Sequence, residues 1–282
     1  MTTLPRIGLA YNPTIDAALE LRERAAGWLR MRDIDHWTSA AGDLESLVRQ
    51  LPGTDALVVL GGDGTFLRAA RAVAEVDVPL LGVNLGKVGF LSKIEANQLE
   101  PMLAQLVAGD YSIDARMAAR ASVHPGGAAA PSNRYIALND VVVARGQLAR
   151  VVRLDVTIGA SHLATFIADG LVVSTPTGST GYSFSAGGPI LDPTSRNLIV
   201  TPIAGYLSAI RSVVVSPRQV VRCRIVHATE ALISIDGRED EPVAVGDVIA
   251  VEALDRPIRF IEPRGSMPFW DLLRHKVELL PS

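Results

Sequence analysis

The spacing of apolar residues changes period partway along the chain. Through residue 118, short apolar runs alternate with stretches whose apolar positions recur every three or four residues. Arg6–Ala10, Ala56–Leu60 and Leu80–Val83 predict buried strands. Asp16–Arg32 predicts a helix with Ala18, Leu21, Ala25 and Leu29 on one stripe. Leu44–Leu51, Thr65–Ala74 and Leu99–Val107 predict three more, the last closing near Gly109. Strand–helix alternation implies parallel pairing and an α/β layer, where ligands bind beyond the carboxyl ends of the strands. From residue 119 the period falls to two. Val152–Ile158, Val220–Val226, Ala231–Ile235 and Val248–Val251 then read as antiparallel strands, with Gly, Asp and Pro at the turns. His124–Asn133 reads as a loop away from the chemistry. Pro268–Arg274 is helical again and is expected to return to the first domain. The expected division is 1–118, with 264–282 returning, and 119–263.

Composition narrows the class. The chain has 282 residues, 48% of them hydrophobic and 20% charged, enough to bury two cores. The net charge of −3 argues against nucleic acid or an anionic membrane as partner. A single cysteine, Cys223, fits a reducing compartment and reads as a small buried hydrophobe. No apolar run reaches membrane-spanning length and no signal peptide precedes the first strand, so a cytoplasmic location is expected.

The first chemical signal is Gly61-Gly62-Asp63-Gly64-Thr65, a glycine turn between a buried strand and a helix start. Glycines permit close approach of backbone to ligand, and a helix start suits phosphate. It is not a P-loop, which needs Lys-Ser or Lys-Thr after the last glycine, nor does it carry the dinucleotide spacing. Asp63 is the odd member, because phosphate repels a carboxylate at contact range. It either has a task (taking a proton, orienting a hydroxyl, holding a metal ion) or is a plain helix N-cap. A second glycine loop, Asn84–Phe90, follows the next strand.

The second signal is the run Asp169–Ile190, with a dense row of hydroxyls and glycines from Thr175 to Gly181. Hydroxyls and exposed amides suit ribose and amide groups, and Tyr182 offers a ring for stacking. A polar loop that caps a helix accounts for one or two of those hydroxyls. The pair Asn139-Asp140 precedes an apolar strand and can hold ribose hydroxyls, or can be a turn.

These stretches, in this order and spacing, resemble NAD kinases: Gly61–Thr65, Asn84–Leu91, Asn139-Asp140, Asp169–Ile190, Asp236-Gly237-Arg238 and Phe269–Lys276. The likeness runs along essentially the whole chain. It implies an α/β phosphate-donor domain, a β-sandwich-like NAD-binding domain and a site between them. The implied reaction moves the γ-phosphoryl of ATP to the 2′-hydroxyl of the adenosine ribose of NAD, with polyphosphate as the alternative donor. Mg²⁺ is expected to arrive with ATP, and the chain to be a homo-oligomer, dimer or tetramer.

The resemblance makes Asp63 the proton acceptor and puts Asp63 and Gly64 at the ribose, with Arg68 near a phosphate. Asn139 and Asp140 match the adenosine-side pair. Thr180, Gly181, Tyr182, Ser183, Phe184 and Ser185 fall in the nucleotide-lining block. Asp169 matches an acid on the nicotinamide side. Arg150, Ile167 and Arg238 match further contact positions, and Ala204 one that approaches from a neighbouring subunit. The chain departs from the pattern in three places: Ala204-Gly205-Tyr206 stands where Pro-His is common, Gly181 where alanine is usual, and Asp140 where glutamate is commoner. None of the five histidines falls in a catalytic motif. Two other classes use parts of the pattern. A lipid kinase would keep the Gly61–Thr65 loop without the Thr177–Ser185 block, and an NAD-sensing module would have little use for Asp63.

Overall fold

A computed structural model of the chain describes residues 5–278 apart from 87, 88, 93, 148, 149, 207, 208, 239 and 240. Lys87 and Val88 of the second glycine loop thus lie outside the described residues, as do residues 279–282 of the expected return. The chain divides into two compact units, Met1–Ala115 with Ile258–Ser282, and Arg116–Pro257.

The first unit alternates β1 (Ile7–Tyr11), α1 (Asp16–Arg30), β2 (His36–Ala40), α2 (Leu44–Gln50), β3 (Ala56–Leu60), α3 (Asp63–Val73), β4 (Leu80–Asn84), β5 (Ile94–Glu95), α4 (Leu99–Ala108) and β6 (Tyr111–Arg116). The sheet runs β2-β1-β3-β4, then the returning strand Ile258–Pro263, then β6, while β5 pairs with β4. β1, β2, β3 and β4 pair in parallel. Both faces of β3 and β4 are covered, so β3 is apolar throughout and β4 is apolar up to the buried Asn84 at its end, instead of alternating. The α1 stripe of Ala18, Leu21, Ala25 and Leu29 is buried as expected. Each of its leucines contributes about 1.5–3 kcal/mol by burial. α4 ends on Gly109 in the left-handed region, φ 70°, which only glycine adopts without cost.

Strands β2, β5 and β6 and the start of the return differ from the sequence expectation. Strand β2 was not foreseen, because its sequence, His-Trp-Thr-Ser-Ala, is polar and short. It lies at the sheet edge and buries only alternate residues, with Trp37 donating to Thr54 Oγ1 at 2.9 Å. The return was expected from residue 264, but Ile258–Pro263 already pairs in parallel with β4 through Phe260 and Leu80. The terminal helix, Phe269–Glu278, packs within this same unit: Phe269 meets Phe90 at a ring separation of 6.1 Å.

The second unit contains β7 (Ala119–His124), β8 (Asn133–Ala137), β9 (Asp140–Arg145), β10 (Val152–Ile158), β11 (Ser161–Ala168), β12 (Gly170–Ser174), α5 (Tyr182–Ser185), β13 (Leu198–Ile203), β14 (Val213–Val215), β15 (Val221–His227), β16 (Ala231–Ile235), β17 (Glu241–Val243) and β18 (Val248–Ala253). They form two six-stranded sheets, β11-β10-β15-β18-β7-β8 and β14-β13-β12-β9-β16-β17. Alternation does the sorting. Val152, Leu154 and Val156 face inward beside Val221, Cys223 and Ile225, and they share one core with Val141, Leu171, Val173 and Ile233 of the other sheet. Burial pushes the Cys223 thiol up to about 12, with Asp155 adding to the effect, so the thiol stays protonated.

Candidate active site

In the first unit, parallel pairing sets β3 and β4 side by side, and Gly61 N donates to Val83 O at 2.9 Å. The two glycine loops therefore leave the sheet from adjacent strand ends. Asp63 is the first residue of α3, and Gly62 holds the N-cap position. The Asp63 carboxylate does not cap its own helix. It accepts from three successive amides of the second loop: Phe90 N to Oδ2 at 3.1 Å, Leu91 N to Oδ1 at 3.3 Å and Ser92 N to Oδ1 at 3.2 Å. A carboxylate has about four acceptor positions. Among the described residues three are filled, and the one left is on Oδ2. Gly89 makes this possible, because a Cβ there would overlap the Asp63 carboxylate. A Cβ on Gly61 would likewise overlap the Thr65 side chain, whereas one on Gly62 would meet open space. Gly64 and Arg68 are exposed beside them, and Thr65 N and Phe66 N donate to Gly62 O at 2.8 and 3.1 Å, closing the first turn of α3.

In the second unit, Asn139-Asp140 enters β9, and the Thr175–Ser185 run follows β12, its neighbour. Thr175 N donates to Asn139 O at 2.8 Å, and Thr175 Oγ1 donates to Leu138 O at 2.5 Å. Ser174 Oγ also bonds Asn139 O, and Ser179 Oγ joins Pro176 O to Leu191 N. Ser174, Thr175 and Ser179, none of them among the expected contact residues, thus serve as backbone struts. Two hydroxyls are different. Thr177 Oγ1 and Ser183 Oγ are buried without a hydrogen-bond partner. An unpaired buried hydroxyl is costly, and a ligand group would relieve it. Gly178 lies against the Asn139 backbone, where a Cβ would overlap the carbonyl. Thr180 is half-buried, while Gly181, Tyr182, Phe184 and Ser185 are exposed.

Asp140 is 5% exposed. Burial, and after it the charge of Asp236, push its carboxyl up to about 7. Asp236, 8% exposed, accepts from Leu138 N at 3.1 Å, Asn139 N at 2.7 Å and Asp140 N at 3.1 Å. The Asn139 side-chain amide bonds no other described residue. Sequence pattern alone gives Asp236 no role, because the amides it gathers lie 96 to 98 residues away.

A second group of expected residues lies at the other end of β12. Asp169 is held by Arg145, Nε to Oδ1 at 2.8 Å and Nη2 to Oδ2 at 3.2 Å, a fork the sequence did not reveal. Asp169 N donates to Ile203 O, and Tyr206 N to Ile167 O, so Ile167, Asp169 and the Ala204 turn are neighbours. Ala204 is exposed with φ 47°. Ser174 pairs with Asp140 at one end of β12 and Gly170 with Ala144 at the other. The two groups are therefore separated by about 15 Å of strand. Arg150 is exposed, and Arg238 is half-buried just past Asp236. Among the described residues no cluster of three His, Cys, Asp or Glu side chains is present, and no helix is long and apolar enough to cross a membrane.

Comparison with known proteins follows the same two halves. The family models for the ATP-NAD kinase N-terminal and C-terminal domains match residues 7–111 and 138–263. The chain is 38% identical to a NAD kinase of Heliobacterium modesticaldum over 98% of its own length and 99% of the relative's. It is 37% identical to one of Dehalococcoides mccartyi over 97% and 96%. Among solved structures, yeast NADH kinase complexed with NADH has a similar fold, with TM-score 0.87 at 21% identity over 100% of this chain and 89% of that one. A NAD kinase from Archaeoglobus fulgidus in complex with ATP superposes with TM-score 0.78 at 25% identity, over 98% and 100%. Two domain matches in sequence order and relatives aligned nearly end to end lead to one assignment: the chain belongs to the NAD kinase family.

Proposed function

We propose that this protein phosphorylates NAD at the expense of ATP, placing the phosphoryl group on the 2′-hydroxyl of the adenosine ribose. Family membership supports the reaction, and the observation that carries the chemistry is the partly filled carboxylate of Asp63. The bond between the γ-phosphorus and its bridging oxygen breaks as a bond to the 2′-oxygen forms, and ADP leaves. Asp63 Oδ2, with one acceptor position left, orients the hydroxyl and takes its proton. The three amides on the carboxylate hold it in place. A carboxylate is a weak base, which suffices because phosphoryl transfer is largely dissociative and the proton moves late. The amides of Gly62 and Asp63, where the turn enters α3, steady phosphate oxygens. Mg²⁺, carried in with ATP, would neutralise phosphate charge.

Asn139 and Asp140 hold the ribose, Thr177 and Ser183 use their unpaired hydroxyls on the nucleotide, and Tyr182 stacks. Thr180, Gly181, Phe184 and Ser185 line the same stretch. Asp169, Ile167 and Ala204 sit a strand's length from Asn139-Asp140, which supports a homo-oligomer in which a second copy supplies that group. Incubation with Mg²⁺-ATP and NAD, coupled to an NADP-specific dehydrogenase, is expected to give a signal that needs all three reagents. Polyphosphate is tested as donor in parallel. Phosphorylation of a lipid alcohol without any NADP would overturn the reading. A fully active 30.0 kDa monomer in sedimentation would overturn the shared site.

A further inference from the structure

We propose that Asp236 is a positioning residue for the nucleotide: it fixes the turn that presents Asn139 and Asp140, and acts on the ribose through them. The proposal rests on the NAD reading above. Asp236 lies 96 to 98 residues beyond the three amides it gathers, Leu138 on Oδ2 and Asn139 and Asp140 on Oδ1. Its own N–H returns a bond to Asp140 O at 3.0 Å. The turn is thus clasped from both directions. Asp236 itself takes φ 53°, a conformation that costs most residues about 1 kcal/mol and, glycine aside, Asp or Asn least.

Turn stability alone does not call for this residue. An asparagine adopts the same φ and caps amides without charge, whereas Asp236 places a second carboxyl beside buried Asp140, which raises the cost of ionising Asp140. What the carboxylate adds is two oxygens for three amides, so the Asn139 and Asp140 side chains are held in one orientation. The Asn139 amide and the Asp140 carboxyl are then both presented to hydroxyl groups. Strands β12 and β16, which flank Asp140, carry no titratable side chain, and neither does the Thr177–Gly181 turn. Asp236 is the charge acting on Asp140, and Arg238, two residues past Asp236, is the cation nearest to Asp236 along the chain. Ionised Asp140 accepts hydroxyl protons, so NAD binding is expected to weaken as pH falls through the neutral range.

The test compares the wild type, Asp236→Asn and Asp140→Asn from about pH 5.5 to 8.5, measuring KM for NAD, kcat and the titration of the Asp140 carboxyl by NMR of the unliganded proteins. Asp236→Asn is expected to raise KM about tenfold, with a smaller fall in kcat, because one amide loses its acceptor. Its pH midpoint moves lower, since the neighbouring charge is gone. Asp140→Asn is expected to flatten the profile. An Asp236→Asn enzyme with wild-type KM and midpoint overturns the proposal, as does one that loses kcat and thermal stability with KM and midpoint unmoved. If the wild type forms no NADP, the functional reading falls, and the Asp140 titration still decides. A midpoint unmoved by Asp236→Asn sinks the proposal. Should Asp236→Asn not fold, a pH midpoint that survives in Asp140→Asn sinks it instead.

Discussion

Replacing Asp63 with asparagine separates two roles that the geometry gives one carboxylate. The asparagine side chain would keep one oxygen and exchange the other for an NH₂ group. With the oxygen turned to Leu91 N and Ser92 N, the new NH₂ faces Phe90 N at the former 3.1 Å. One charge-assisted bond becomes a donor–donor conflict, costing about 1–3 kcal/mol. The opposite orientation is worse, because two amides then lose their acceptor. The second glycine loop should loosen, and Tm should fall by about 2–4 °C for each kcal/mol. The same substitution removes the open acceptor on Oδ2. With the 2′-hydroxyl proton left without a receiver, kcat should drop by roughly 10²–10⁴. Steady-state kinetics at a temperature where circular dichroism shows both proteins folded will separate the effects. A kcat within a factor of a few of wild type, with Tm lowered, would reduce Asp63 to a clasp between two loops. An unchanged Tm would refute the clasp.

Three more expectations follow from contacts of the same kind. Gly89→Ala drives a methyl into the Asp63 carboxylate, so kcat should fall toward the Asp63→Asn level while KM for NAD changes less in the same kinetic assay. Gly178→Ala meets the Asn139 backbone, which cannot swing aside as a side chain can. A loss of about 1–3 kcal/mol in denaturant unfolding is expected, together with weaker NAD binding by calorimetry. Asp140 is pushed up to about 7 from 3.8, so its contribution to folding is complete below the unfolded value and is lost as pH rises toward neutrality. The span amounts to roughly 4 kcal/mol. Asp140→Asn should therefore be more stable than wild type at pH 8, with the gap closing toward pH 4. Equal unfolding midpoints at both values would show that Asp140 carries no such penalty.

The elements that sequence reading placed well are those whose signal is local. β3, β10 and β16 were read to the residue, and α1 ends within two residues of expectation. A strand buried on both faces needs an unbroken apolar run, and a helix on a sheet needs an apolar stripe. Both show in a window of a dozen residues. The glycine loop at the end of β3 was legible for the same reason, since its strand, turn and helix start are contiguous. Strand β2 failed because its burial comes from the neighbours it pairs with, not from its own composition.

The return at Ile258 failed because period-two residues look alike in either unit, and only pairing with β4 assigns them. The site followed the same division. That a carboxylate sat among the glycines was plain from the chain. What it touches was not, because Phe90, Leu91 and Ser92 are 27 to 29 residues away and contribute only backbone amides, whatever their side chains. Likewise the hydroxyl row looked uniform as letters. Folding sorted it into struts such as Thr175 and Ser179, and into Thr177 and Ser183, whose hydroxyls are buried and unpaired. Periodicity reports which face of an element leaves water. The partner of each polar group depends on where distant backbone passes, and only the tertiary structure decides that.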